Sequence, residues 1–180
     1  MAAVSRYAMF ETAIGTCAIA FTARGISMFG LPEANRAALA GRFDRHADRA
    51  PEPLPAEVQR AVLAVVKHLG GELEDLARLP LDLGRMPDFD RRVYELALAI
   101  PPGRTRSYGE LAADLGDPAL SRAVGQSLGR NPVPLIIPCH RVVRAGGDAG
   151  GFSAAGGPAL KLRLLKIEGA GGPQLGMDFD

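Results

Sequence analysis

At 180 residues the chain is long enough for one large or two small domains with a proper buried core. Its 47% hydrophobic and 23% charged residues are ordinary for a soluble globular protein, and no run reaches the roughly 20 apolar residues of a membrane span. The net charge of +1 is uninformative, but residues 1–100 hold 12 Lys and Arg against 13 Asp and Glu, whereas residues 101–168 hold 9 against 5, so the second half is the one suited to a phosphate backbone.

Met1 to Phe10 lacks the basic-then-apolar pattern of a secretory signal, so a cytoplasmic protein is expected, without contact with a membrane. Cys17 and Cys139 are expected as free thiols in that compartment. His46, His68 and His140 lie far apart and form no metal-ligand spacing, and no phosphate-binding or dinucleotide loop is present; neither metal nor cofactor is expected.

Gly15 to Phe29 reads as two short apolar runs around Thr22-Ala23-Arg24-Gly25, a hairpin pattern with Cys17 as a small buried hydrophobe. Glu33 to Arg49 is rich in Ala and Arg and is expected to be helical. Pro51, Pro53 and Pro55 then interrupt the chain. From Pro55 a second helix carries Val58, Ala61, Val62, Val65, Val66 and Leu69 at helical spacing and stops at Gly70-Gly71. Leu79 to Leu83 fits a short strand. A boundary near Arg85 to Asp88 divides the chain into domains of residues 1–86 and 87–180. After it, Asp88 is placed to cap a helix with Phe89, Val93, Leu96, Ala97 and Ile100 on one face.

Ser107-Tyr108-Gly109-Glu110 has the capping-box pattern, and Gly116 can close the short helix that follows. Asp117-Pro118 then starts a second helix running to about Gly129. Two short helices with this linker match the helix-turn-helix layout. Leu120, Val124 and Leu128 form the expected buried stripe. Arg122 projects from the opposite side, among the small or polar residues Ala119, Ser121, Gly125 and Gln126. A surface helix with one solvated arginine fits the same spacing.

The segment from Asn131 to Val143, Asn-Pro-Val-Pro-Leu-Ile-Ile-Pro-Cys-His-Arg-Val-Val, has three prolines fixing an extended path and an apolar run suited to burial. Cys139 precedes His140 and Arg141, and a base or positive charge nearby favours the reactive thiolate. Adjacent residues rarely face each other, so His140 would act through a water. Glu168, at the C-terminal end of a last helix starting near Pro158, opposes the helix dipole, a placement explained if it orients His140. On these residues alone a structural cysteine and a Cys-His hydrolase both stay open.

The segment resembles the O6-alkylguanine-DNA alkyltransferase family, marked by Pro138-Cys139-His140-Arg141 followed by Val142. The likeness extends through Ser107-Tyr108, Arg122-Ala123-Val124-Gly125, Asn131-Pro132, Ile137, Gly151-Phe152-Ser153, Lys161, Leu164-Leu165 and Glu168-Gly169, covering about Phe89 to Gly169. Residues 1–86 fit only in outline. The resemblance implies an α+β protein: a small N-terminal α/β, ribonuclease H-like domain, then a mostly helical domain with a helix-turn-helix that binds DNA and transfers the alkyl group.

It also implies the activity of a methylated-DNA–protein-cysteine methyltransferase, a monomer acting once on double-stranded DNA with O6-alkylguanine or O4-alkylthymine. Cys139 would accept the alkyl group. His140 and Glu168 would relay the thiol proton, and Tyr108 would donate to the leaving base. Arg122 would replace the flipped base, with Ala119, Ser121 and Gly125 near the DNA. Asn131 would be a hinge, and Val142 and Ser153 would line the base pocket. Some relatives carry zinc in the small domain, but the residues needed are not recognisable here. The alternative is a damage sensor that binds alkylated DNA without repairing it, a role needing neither Cys139 nor Glu168.

Overall fold

The computed structural model describes residues 5–84 and 86–170. The chain divides into two compact units, Met1–Arg85 with Pro132–Ile136 and Met86–Asn131 with Ile137–Asp180. The segment Pro132–Ile136, placed by sequence within a continuous second domain, thus belongs with the first unit. Among the described residues no helix is long and apolar enough to cross a membrane.

In the first unit β1 (Arg6–Thr12), β2 (Gly15–Thr22) and β3 (Gly25–Gly30) form an antiparallel meander. β4 (Asp48–Arg49) joins β1 in parallel, giving the order β3-β2-β1-β4. The expected hairpin is β2–β3. At its turn Gly25 has φ +145°, and a Cβ there would stand 2.6 Å from the carbonyl oxygen of Pro80, so the position requires glycine. The close approach is a pairing: the Ile26 N–H donates to Pro80 and the Asp82 N–H to Ile26, both at 2.8 Å. Residues 79–83 contribute only the single bridge Leu81 to Ile26 rather than the expected strand, since Pro80 has no N–H to extend a ladder.

Cys17 to Phe21 of β2 are all buried, as in a strand covered on both faces. Ala18 and Ala20 pack in one cluster with Tyr7, Leu39 and Phe43, the last two supplied by α1 (Arg36–Phe43), whose N-terminus is capped by Asn35. This helix is shorter than the expected Glu33–Arg49. The Tyr7 hydroxyl donates to Asp44 at 2.5 Å, and the backbone N–H groups of Asp48 and Ala50 donate to Ser5 and Tyr7. Long-range pairing to the sheet edge therefore overrides the helical preference of an Ala-rich run. α2 (Ala56–Leu69) buries Val58, Ala61, Val65 and Leu69 and ends at Gly70-Gly71, as its spacing indicates. The Pro132–Ile136 segment is tied down by the Phe29 N–H donating to Pro132 at 2.9 Å. Within it Leu135 holds φ +77°, a conformation costing about 1–3 kcal/mol that its full burial offsets.

In the second unit α3 (Asp88–Leu98) follows Pro87. Asp88 is its first residue rather than its cap, and it pairs with Arg91. Val93, Tyr94, Ala97 and Ile100 are buried, and the Tyr94 hydroxyl donates to the Ser127 carbonyl at 3.1 Å. β5 (Arg106–Ser107) leads into α4 (Tyr108–Asp114). There the capping box is complete: Ser107 Oγ accepts from the Glu110 N–H at 3.1 Å, and Glu110 accepts from the Ser107 N–H at 2.6 Å.

Gly116 turns the chain at φ +103°, Asp117 accepts from the Ala119 N–H at 2.8 Å, and a 3-10 turn, Pro118–Leu120, precedes α5 (Ser121–Gly129). The expected second helix is therefore two pieces. Its buried face is Val124, Ser127 and Leu128, with Leu120 only half-buried, because α3 packs on α5 along the Ser127 side. β6 (Val142–Val143) pairs in parallel with β5, and α6 (Gly157–Ile167) packs on the 3-10 turn Cys139–Arg141 that precedes β6.

Candidate active site

The two cysteines have different surroundings. Cys17 is sealed within β2, where desolvation pushes its thiol up to about 12, and Thr12 Oγ1 lies 3.8 Å from its sulfur. A thiol in that state is inert. Cys139 begins the 3-10 turn Cys139–Arg141, and its side chain reaches a cleft of about 270 Å3 lined also by Tyr108, Gly125, Leu128, Gly129, Gly151, Phe152 and Ser153. Burial raises this thiol too, but an Asn131 hydrogen bond, the charge of Lys161 and the backbone N–H groups of Cys139 and His140 all oppose the rise. Each of these groups stabilises the thiolate form against the cost of burial. A larger cleft of about 520 Å3 in the first unit, among Phe21, Ile26, Val58 and Pro80, has neither cysteine nor histidine in its lining, so volume alone does not locate the chemistry.

Behind Cys139 lies a buried charge cluster. Glu168, the C-terminal cap of α6, is 3% exposed. Its Oε1 lies 3.0 Å from His140 Nε2. Arg141 closes on the same carboxylate with Nε donating to Oε2 at 2.9 Å and Nη2 to Oε1 at 2.8 Å, while Nη1 donates to the Ile100 carbonyl. The planar fork of arginine suits such two-point contact. It also explains how a carboxylate survives at a helix C-terminus: the guanidinium outweighs the unfavourable helix dipole. The chain therefore holds an imidazole, directed by a buried carboxylate, on the residue next to the thiol.

The remaining residues singled out from sequence separate into groups. Tyr108, half-buried at the start of α4, has its phenol raised by burial and by the Cys139 charge. Tyr108, Gly125, Cys139 and Ser153 share the cleft. Asn131 is not in its lining; its amide donates to the Ile137 carbonyl at 2.8 Å and so joins the two ends of the Pro132–Ile136 excursion beside the thiol. Val142 is fully buried outside the lining, and its carbonyl accepts from Lys161 at 2.6 Å. Arg122 and Ala119 are exposed, and Ser121 Oγ donates to the Pro118 carbonyl at 2.7 Å.

The sequence offered Arg141 only as a positive charge near the thiolate, with no carboxylate partner, and gave Lys161 no role. The available signal for Lys161 was its place on the stripe with Leu164, Leu165 and Glu168, where a solvated lysine does not belong. Among the described residues no group of three or more His, Cys, Asp or Glu could hold a metal ion.

Residues 88–170 match the family model described as 6-O-methylguanine DNA methyltransferase, DNA binding domain. A methylated-DNA–protein-cysteine methyltransferase of Mycobacterium bovis is 42% identical over 121 residues, which are 67% of this chain and 71% of that protein. The crystal structure of Mycobacterium tuberculosis O6-methylguanine methyltransferase superposes with a TM-score of 0.77 at 33% identity, over 93% of this chain and 94% of that one. A structure of Mycobacterium tuberculosis OGT in complex with DNA gives 0.73 at 32% identity, over 92% and 93% of the two chains. With a thiol, a directed histidine and a base-sized cleft inside the matched region, the chain belongs to the methylated-DNA–protein-cysteine methyltransferase family.

Proposed function

We propose that this protein repairs double-stranded DNA by taking the alkyl group of O6-alkylguanine, and of O4-alkylthymine, onto Cys139, once per molecule. The observation that carries this reading is Cys139 at the wall of a cleft shared with Tyr108, Gly125 and Ser153 and backed by the His140–Glu168 pair. In the reaction His140 takes the Cys139 proton through a water. The thiolate sulfur then attacks the alkyl carbon, forming the S–C bond while the C–O6 bond breaks and its electron pair stays on the base oxygen. The removed proton finally returns to the base, leaving neutral guanine and a thioether. Tyr108 donates to the base as negative charge develops, the point at which a fixed donor lowers the barrier most. The thioether resists hydrolysis, so the site is spent.

A base inside the duplex cannot meet a buried thiol, so the nucleotide is extruded first, and damaged pairing lowers that cost. We read α4, the Gly116 turn and α5 as the helix-turn-helix of a DNA-binding and alkyl-transfer domain over residues 87–180. Ala119, Ser121 and Gly125 lie near the backbone, Arg122 fills the vacated stack and Asn131 serves as the hinge. Val142 acts from behind the pocket wall. The N-terminal domain, residues 1–86, is read as ribonuclease H-like, supported by the antiparallel meander with β4 joining β1 in parallel. The protein works in the cytoplasm as a monomer. A damage sensor would need neither the buried carboxylate nor the thiol.

The test uses duplex DNA with one labelled O6-methylguanine: label should move to the protein, and retention on DNA that is nonetheless bound would favour the sensor. Arg122 provides a finer check. It is exposed, so Arg122→Ala should leave folding intact. Transfer from duplex should slow by about 2 kcal/mol, roughly thirtyfold, while transfer from free O6-methylguanine base, which needs no extrusion, stays unchanged. Equal slowing on both substrates would place Arg122 in support of the pocket instead.

A further inference from the structure

Lys161 is fully buried in α6, yet among the described residues it makes no ion pair with a carboxylate. Its ammonium donates to the carbonyls of Val142 at 2.6 Å and Gly151 at 3.4 Å and lies 5.7 Å from the centroid of the Tyr108 ring. Two carbonyls and a ring face are modest company for a desolvated charge, which is ordinarily paired when buried.

The charged and titratable groups around it are few. Asp148 and Arg144 are exposed and pair with each other at 3.3 Å. His140 and Arg141, on the turn packed against α6, are engaged by Glu168. Tyr108 offers its ring, and Cys139 is left as the buried group able to carry negative charge. The coupling is mutual: Lys161 holds the thiol down, and Cys139 is the largest influence opposing the desolvation that lowers Lys161 to about 8.

We propose that Lys161 is a positioning residue for alkyl transfer: its ammonium pins the Val142 and Gly151 carbonyls around the cleft and supplies the positive charge opposite which Cys139 ionises. This rests on Cys139 being the acceptor. It assigns the buried lysine a task distinct from that of His140, which moves the proton, whereas Lys161 stays protonated through ionisation and steadies the anion. The carbonyl contacts couple that charge to the wall carrying Gly151, Phe152 and Ser153.

The experiment follows Cys139 carbamidomethylation by iodoacetamide against pH, read at the Cys139 peptide by mass, in the full chain and in Lys161→Met. The methionine keeps an unbranched chain out to the ε position and removes the charged nitrogen. The midpoint should move up by about one pH unit, as for a thiol losing a nearby cation, and the rate at neutral pH should fall about tenfold. Transfer from methylated duplex should fall by a similar factor with DNA affinity unchanged. An unmoved pH profile in folded Lys161→Met would overturn the proposal.

Should that variant not fold, NMR titration of the Lys161 ammonium in the wild-type chain decides instead, before and after S-methylation of Cys139 with methyl iodide. The thioether cannot become an anion, so the Lys161 midpoint should fall, and an unchanged midpoint would contradict the pairing. The carbamidomethylation profile and the ammonium titration use no DNA, so failure to accept a methyl group from DNA would count against the repair reading and leave the Lys161 result standing.

Discussion

Cys139→Ala should abolish transfer of a methyl group from duplex DNA and leave DNA affinity within about twofold of the wild-type value. The sulfur is the atom to which the alkyl carbon bonds, and no other thiol can substitute: Cys17 is buried in the first unit's central strand with its thiol raised to about 12. Binding should persist because phosphate contacts dominate protein–DNA affinity, and Cys139, 5% exposed, offers little surface to a partner. The change removes one buried sulfur, so stability should drop by about 1 kcal/mol, observable as a small shift in the urea midpoint. Residual transfer would place the acceptor elsewhere. Loss of DNA binding by the folded variant would show that the thiol wall also shapes the DNA surface.

Glu168→Gln should damage both stability and rate. The carboxylate receives two hydrogen bonds from Arg141 and faces His140 at 3.0 Å, and all three residues are buried. Removing the negative charge leaves the Arg141 guanidinium uncompensated, a loss of about 3–5 kcal/mol for a broken buried pair. The retained amide and the Ile100 carbonyl contact favour the lower end. Transfer per folded molecule should slow by about ten- to a hundredfold, because the imidazolium formed when Cys139 gives up its proton loses its counter-charge. The two effects are separated by measuring urea unfolding and the single-turnover rate on the same preparation. A less stable variant with an unchanged rate would reduce Glu168 to an anchor for Arg141. In a double-mutant cycle with Arg141→Met, strong coupling in stability but not in rate would assign the two functions to different partners of the carboxylate.

Features of this chain set by neighbours in sequence were legible from it. The Ser107–Glu110 box depends on residues three apart, the β2–β3 turn on Gly25, and the end of α2 on Gly70-Gly71, so each is visible in a short window. What was misread depends on distant partners. Asp48-Arg49 becomes β4 only because β1 offers an unpaired edge, and an Ala- and Arg-rich run carries no sign of that. Residues 79–83 look strand-like but meet β3 beside a proline. The stripe on α5 is shifted toward Ser127 because Tyr94, 33 residues earlier, bonds its carbonyl.

The site divides in the same way. Cys139, His140 and Tyr108 stand in a recognisable pattern. The functional sense of Glu168 came from its awkward helix-end position. The partners of Arg141 and Lys161 were not legible, because the fold brings one onto a carboxylate 27 positions away and the other onto a carbonyl 19 positions away.

The most direct measurement is the stoichiometry of transfer, with the acceptor identified. Duplex DNA carrying one O6-methylguanine per molecule is mixed at several ratios with the protein, and remaining lesion is quantified alongside the mass of the Cys139 peptide. Repair should stop at one lesion per protein molecule, with a single methyl group on Cys139 and none on Cys17. Continued repair by substoichiometric protein, or complete repair with Cys139 unmodified, would contradict the account.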